Sequence, residues 1–154
     1  MYEQKLREMG IYPAETVKPL AAYIPAMQLG ELVITSGQVP VENGELKYAG
    51  KVGVDLSLEE GVAAARLCAI NCLNAVRDLI GSLDNIEQIV KLTGFVNCAE
   101  GFGEQPQVLN GASEFLIEVF GDAGVHTRSA VGVSGLPINS AVEIEMVVKI
   151  KQTD

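Results

Sequence analysis

Arg128 is the first residue whose type and setting point to chemistry, because it opens an apolar run, Ala130-Val131-Gly132-Val133. A guanidinium is costly in such a run unless an anion meets it. Two partners are open. Glu143, on the next strand-like segment, is placed to close a cross-strand bridge. Alternatively, the planar fork of Arg128 waits for a ligand carboxylate, which it can hold through two parallel hydrogen bonds. Thr35-Ser36-Gly37-Gln38 ends an apolar segment in a bend, where small residues let backbone N–H groups come close to a ligand oxygen. Asn110 falls inside a helical pattern that asparagine weakens, which either a solvated helix surface or a polar site explains.

Other chemistries lack their residues. Gly101-Phe102-Gly103 is not followed by the last glycine of a dinucleotide loop, and neither a Walker loop nor a G-x-S-x-G elbow occurs. His126 is the only histidine and reads as a surface or strand-edge residue. Cys68 and Cys72 lie four apart within a helical pattern and Cys98 stands alone, so all three read as core thiols in a reducing compartment. No metal site and no cofactor are expected.

These residues need a scaffold, and the composition provides for one. The 154 residues are 48% hydrophobic and 20% charged, which suits one globular domain over 1–154 with an N-terminal arm at 1–21. A net charge of −9 repels phosphate backbones and anionic membranes, so no nucleic-acid partner is expected. No apolar run is long enough to span a bilayer and Met1-Tyr2-Glu3-Gln4-Lys5 has no signal-like core, so a cytoplasmic location is expected.

Along the chain, Glu3 to Gly10 reads as a short helix, followed by an irregular stretch to about Ala22. Leu32-Val33-Ile34-Thr35 is the first firm strand. Val39-Pro40-Val41 and Glu45-Leu46-Lys47-Tyr48 flank Asn43-Gly44, the dipeptide that favours a type I′ hairpin turn. Ser57 and Glu60 form a capping box for a helix to about Ile80. Ala65, Cys68, Ala69, Cys72, Val76, Leu79 and Ile80 make its apolar stripe, with Arg66, Asn74, Arg77 and Asp78 opposite. A strand over Ile89–Cys98, a helix over Glu104–Phe120 and strands over Arg128–Ser134 and Ala141–Lys151 complete the order. This pattern gives an α+β fold, one mixed sheet with both helices on a single face. Its other face, partly apolar and partly charged, needs covering by a partner sheet.

Several of these stretches together resemble the Rid (reactive intermediate deaminase, YjgF-like) family, also called the endoribonuclease L-PSP family. They are Tyr23 with Leu32-Val33-Ile34-Thr35-Ser36-Gly37-Gln38-Val39-Pro40, Val108-Leu109-Asn110-Gly111-Ala112-Ser113-Glu114-Phe115, and Arg128-Ser129-Ala130-Val131-Gly132-Val133. Leu136-Pro137 running into Val142-Glu143-Ile144-Glu145 completes the set. The resemblance spans roughly Ala22 to Ile150. It implies a chorismate-mutase-like fold and a homotrimer whose sheets form a central barrel with clefts between subunits. It further implies hydrolysis of enamine and imine products, such as 2-aminoacrylate, to 2-keto acids and ammonia. Carried over, Arg128 would pair with the substrate carboxylate and Ser36 and the Gly37 N–H would support it. Tyr23 and Asn110 would line the cleft, and Glu143 would orient or activate the attacking water. The chain departs from the family at Ala130, where the family has cysteine, at Ala21-Ala22, where it has Gly-Pro, and in its longer arm. Alternative functions are capture of a small carboxylate or keto acid without turnover, and the ribonuclease or translation-inhibitor activity of some relatives, which the acidic charge disfavours.

Overall fold

A computed structural model describes residues 1–16, 19 and 22–152. The expectation for Ala21 and for part of the arm lies outside these residues. The sheet takes its order from hydrophobic alternation. β7 (Val142–Ile150) buries Val142, Ile144, Met146 and Val148, and these match buried positions on both neighbours. On one side β7 pairs antiparallel with β2 (Leu32–Thr35), which pairs with β1 (Ala26–Leu29); on the other it pairs antiparallel with β5 (Ile86–Asn97). β5 in turn pairs parallel with β6 (Thr127–Val133), giving the order β1-β2-β7-β5-β6. A parallel pair needs a crossover, and α3 (Gln105–Phe120) supplies it.

β1 was not expected as a strand, since Ala26-Met27-Gln28-Leu29 has no β-branched residue. It forms because Gly30, with φ +62°, opens a two-residue turn that folds Leu29 against Leu32. The Asn43-Gly44 turn forms as expected, with φ +53° and +78°, between β3 (Val41–Glu42) and β4 (Glu45–Leu46). These two strands stand apart from the main sheet.

α2 (Leu58–Ile80) carries both halves of the capping box, Glu60 N–H to Ser57 Oγ and Ser57 N–H to Glu60 Oε1. Both α2 and α3 pack on one face of the sheet and against each other. The contact is close because Gly111 lets α3 approach α2: a Cβ there would sit 2.0 Å from the Val62 carbonyl oxygen. Gly94 does the same toward Leu109, with 2.1 Å to its Cδ1.

The polar side of α2 departs from expectation. Asn74 is buried and Leu79 is 44% exposed. α1 (Tyr2–Glu8) lies over this region, and Arg77 donates from Nε to Glu3 at 2.9 Å and from Nη1 to Asn74 Oδ1 at 2.8 Å. The arm thus covers a surface that would otherwise face water, and Asn74 is buried under an ion pair. Among the described residues, no helix is long and apolar enough to cross a membrane.

Candidate functional site

Alternation along β6 turns Arg128 toward the helices, because it pairs with buried Leu92, which pairs with buried Met146. β6 is an edge strand, and the side chain bonds to α3. Its Nη1 donates to Asn110 Oδ1 at 2.9 Å and to Ser113 Oγ at 3.1 Å. Both hydrogens of Nη1 are therefore used on neutral acceptors, and Arg128 makes no ion pair among the described residues. The Nε–Nη2 edge, the fork whose geometry suits a carboxylate, makes no hydrogen bond among the described residues.

Ser113 continues the cluster. It is three residues after Asn110 and so lies on the same face of α3. Its Oγ is 2.9 Å from His126 Nε2, and His126 Nδ1 is 2.6 Å from the Gly124 carbonyl oxygen. Neither residue was chosen as a site residue from the sequence. The signals were present: Asn110 and Ser113 at i, i+3, and His126 two positions before Arg128 with the same strand parity.

Glu143 belongs to a different place. It pairs with Phe95, which pairs with Val131, on the sheet face turned away from the helices. Two strand spacings, about 10 Å, separate its strand from that of Arg128. The Arg128–Glu143 bridge, one of the two pairings open to Arg128 in the sequence, is therefore not made within the chain, because β5 lies between the strands and the side chains leave opposite faces. Glu143 is instead beside Gly37. Gln38 and Ile144 exchange backbone hydrogen bonds of 2.8 and 3.0 Å, and the Glu143 side chain lies over the Gly37 backbone. A Cβ at 37 would lie 2.7 Å from Glu143 Oε2, so a larger residue there would push the carboxylate out of its present position. Burial, and then the Glu145 carboxylate nearby, push the Glu143 carboxyl above the ordinary range.

Ser36 and Tyr23 adjoin this second group. Ser36 N–H donates to the Pro25 carbonyl at 2.8 Å and its hydroxyl to the Ile24 carbonyl at 2.5 Å. These bonds tie the segment after Tyr23 to the end of β2, while the Tyr23 ring is 54% exposed. The six residues chosen from the sequence thus form two half-sites, Arg128 with Asn110, and Glu143 with Gly37, Ser36 and the Tyr23 segment.

A cleft of about 830 Å³ is elsewhere, between the arm, the β3–β4 hairpin and α2, and is lined by none of these six residues. The cysteines are in the core. Cys68 and Cys72 donate to the carbonyls of Val142 and Ile144, on either side of Glu143 but from the opposite face of β7. Burial pushes the Cys72 thiol up to about 12 and Cys68 well above its ordinary range. Among the described residues no cluster of histidine, cysteine and carboxylate suits a metal ion.

With this arrangement in view, residues 3–150 match the family model described as "YjgF/chorismate mutase-like, putative endoribonuclease". The chain belongs to this family. It is 37% identical over 146 residues to Protein TCP17 of Trypanosoma cruzi, covering 94% of this chain and 91% of that protein. The crystal structure of protein Atu1372 from Agrobacterium tumefaciens is similar with a TM-score of 0.87 and 41% identity, over 97% of this chain and 92% of the other. E. coli TdcF, crystallised with bound serine, is similar with a TM-score of 0.61 and 25% identity, over 90% of this chain and 94% of the other. The fold of this YjgF-like chain is accordingly the mixed α+β, chorismate-mutase-like one that the sequence resemblance implied.

Proposed function

We propose that this chain hydrolyses small 2-imino acids to 2-keto acids and ammonia at a site completed between two copies. The observation that carries the reading is the state of Arg128: anchored by two neutral acceptors, free of carboxylate partners among the described residues, with its fork edge unused. Such an arginine fits a ligand carboxylate. Asn110, its carbonyl spent on Arg128, keeps its amide N–H groups for the ligand.

The second half-site supplies what hydrolysis needs. Glu143, whose affinity for a proton is raised by burial, can position a water, take a proton from it as its oxygen adds to the imine carbon, and pass that proton to nitrogen. In the resulting carbinolamine the hydroxyl proton moves to nitrogen by the same carboxylate as the C–N bond breaks, releasing ammonia and leaving the keto acid. The Gly37 N–H supports the substrate carboxylate, and Ser36, whose hydroxyl donates to the Ile24 carbonyl, holds the segment from which Tyr23 closes the cleft. Fixing the carboxylate on Arg128 sets the imine carbon against the held water, and such positioning contributes several kcal/mol, up to roughly 7–11 in ideal cases.

Because the half-sites of one copy leave opposite faces of its sheet, a small substrate cannot bridge them. A homotrimer resolves this, with β6 and α3 of one copy brought against the β1–β2 edge of the next. The open sheet face supports the same reading, since Met27, Leu29, Leu32, Ile34 and Val131 are 36–66% exposed on it. Light scattering at micromolar concentration is expected to give three times the chain mass, and a stable monomer would contradict the shared site.

Ammonia release from freshly generated 2-aminoacrylate tests the activity. The serine bound to E. coli TdcF favours a second reading, capture of a small amino or keto acid without turnover. Pyruvate binding with no acceleration of ammonia release would establish that alternative.

A further inference from the structure

We infer that Ser113 and His126 are positioning residues for Arg128, linked to it in a hydrogen-bond chain that ends on the Gly124 carbonyl. This rests on the proposed role of Arg128 as the carboxylate anchor. The direction of every bond follows from the groups involved. The Gly124 carbonyl only accepts, so His126 Nδ1 carries a hydrogen at 2.6 Å. In the neutral ring Nε2 is then an acceptor, and the Ser113 hydroxyl donates to it at 2.9 Å. That leaves the lone pairs of Ser113 Oγ facing the arginine, which donates to it from Nη1 at 3.1 Å. Reversing any one bond leaves two donors or two acceptors facing each other, so the ring tautomer sets how well Ser113 accepts from Arg128.

The chain is built on rigid parts. Gly124 ends the tight turn after α3, where a Cβ would lie 2.3 Å from the Leu116 carbonyl oxygen, so the turn lies directly on the helix that carries Ser113. Ser113 is only 8% exposed, and its hydroxyl has few other partners available. The consequence for binding is orientational. With both Nη1 hydrogens held, rotation about the Nε–Cζ bond is blocked, and the Nε–Nη2 edge points in one direction.

Because His126 is the only histidine in the chain, its ring-nitrogen NMR signals are unambiguous. With the ring neutral, the Nδ1–H tautomer is expected, whereas free imidazole favours the other. Ser113→Ala is expected to weaken pyruvate binding about 10–100-fold, the loss of one hydrogen bond to a charged group. It should also shift the His126 Nε2 signal and speed rotation of the Arg128 guanidinium, with the melting temperature little changed. Ser113→Thr, which keeps the hydroxyl, should restore all three. An Nε2–H tautomer in the wild-type protein overturns the chain, as does Ser113→Ala with unaltered pyruvate affinity and unaltered guanidinium rotation. If the wild-type protein binds no pyruvate, the proposed function falls by itself; the tautomer and guanidinium rotation then decide the hydrogen-bond chain without any ligand.

Discussion

Two arginines of this chain have opposite surroundings. Arg77 is paired: it donates from Nε and Nη2 to the two oxygens of Glu3, and both side chains are largely buried, at 10% and 15% exposure. Burial alone would raise the Glu3 carboxyl, but bonds from Arg77 and the Leu83 N–H outweigh it and hold the group below its ordinary range. Arg128 has no carboxylate partner among the described residues, and Glu143, half-buried and near the Glu145 carboxylate, is shifted upward instead. Where guanidinium and carboxylate meet, the pair fastens an added segment to the fold. Where the sheet keeps them apart, each retains unused capacity for a third molecule.

The sharpest test of this contrast is Arg128→Ala. It is expected to abolish pyruvate binding and any imine hydrolysis in a protein that still folds, because no internal carboxylate loses its partner. Arg128→Lys should fail nearly as badly, since an ammonium cannot reproduce the fork. A folded Arg128→Ala protein with wild-type binding and turnover would remove the site assignment altogether. Ammonia release and isothermal titration with pyruvate give the answer.

Glu143→Gln should separate chemistry from binding. A loss of about 100-fold or more in turnover, with pyruvate affinity kept within a few-fold, is the outcome for a group that moves protons. Equal loss of both would assign Glu143 to binding only.

Arg77→Ala should behave in the reverse manner, leaving binding intact and lowering stability by about 2 kcal/mol. That is less than the usual figure for a fully buried pair, because water still reaches both groups. A fall in melting temperature of about 4–8 °C follows for a chain of this size. The same contrast predicts opposite pH behaviour. Glu3 and Asp84 are depressed, so their stabilisation is present above the usual carboxylate range and is lost as pH falls through their lowered values, roughly below pH 4. Glu143 is raised, so its contribution is complete in acid and is lost as pH rises through its elevated value. Glu143→Gln should therefore gain stability relative to wild type as pH rises from the ordinary carboxylate range through that value and keep the gain above it, and hydrogen exchange should show α1 loosening first in acid.

The smallest effect belongs to the thiols. Alkylation under native conditions is expected to leave turnover unchanged, because Cys68 and Cys72 are fully buried behind β7 and their thiols are held far from ionisation. Loss of activity without unfolding would mean that one of them reaches the site.

Local pattern was enough for most of the elements. The Ser57–Glu60 capping box, the Asn43-Gly44 turn and the alternation along β7 are short-range features, and each forms as its residue types demand. The residues around Arg128, Asn110 and Glu143 were likewise legible as a family motif. Three matters depended on the folded chain. β1 has no strand propensity of its own and exists because β2 offers it an edge. Asn74 is buried because a helix some 70 residues earlier in the chain lies over it, at a distance that no local pattern encodes. Above all, consecutive strands in sequence suggested that Arg128 and Glu143 were neighbours, whereas the sheet inserts β5 between β6 and β7. Strand order is set by which apolar faces fit together across the whole sheet, and that global fit turned an apparent ion pair into two separate half-sites.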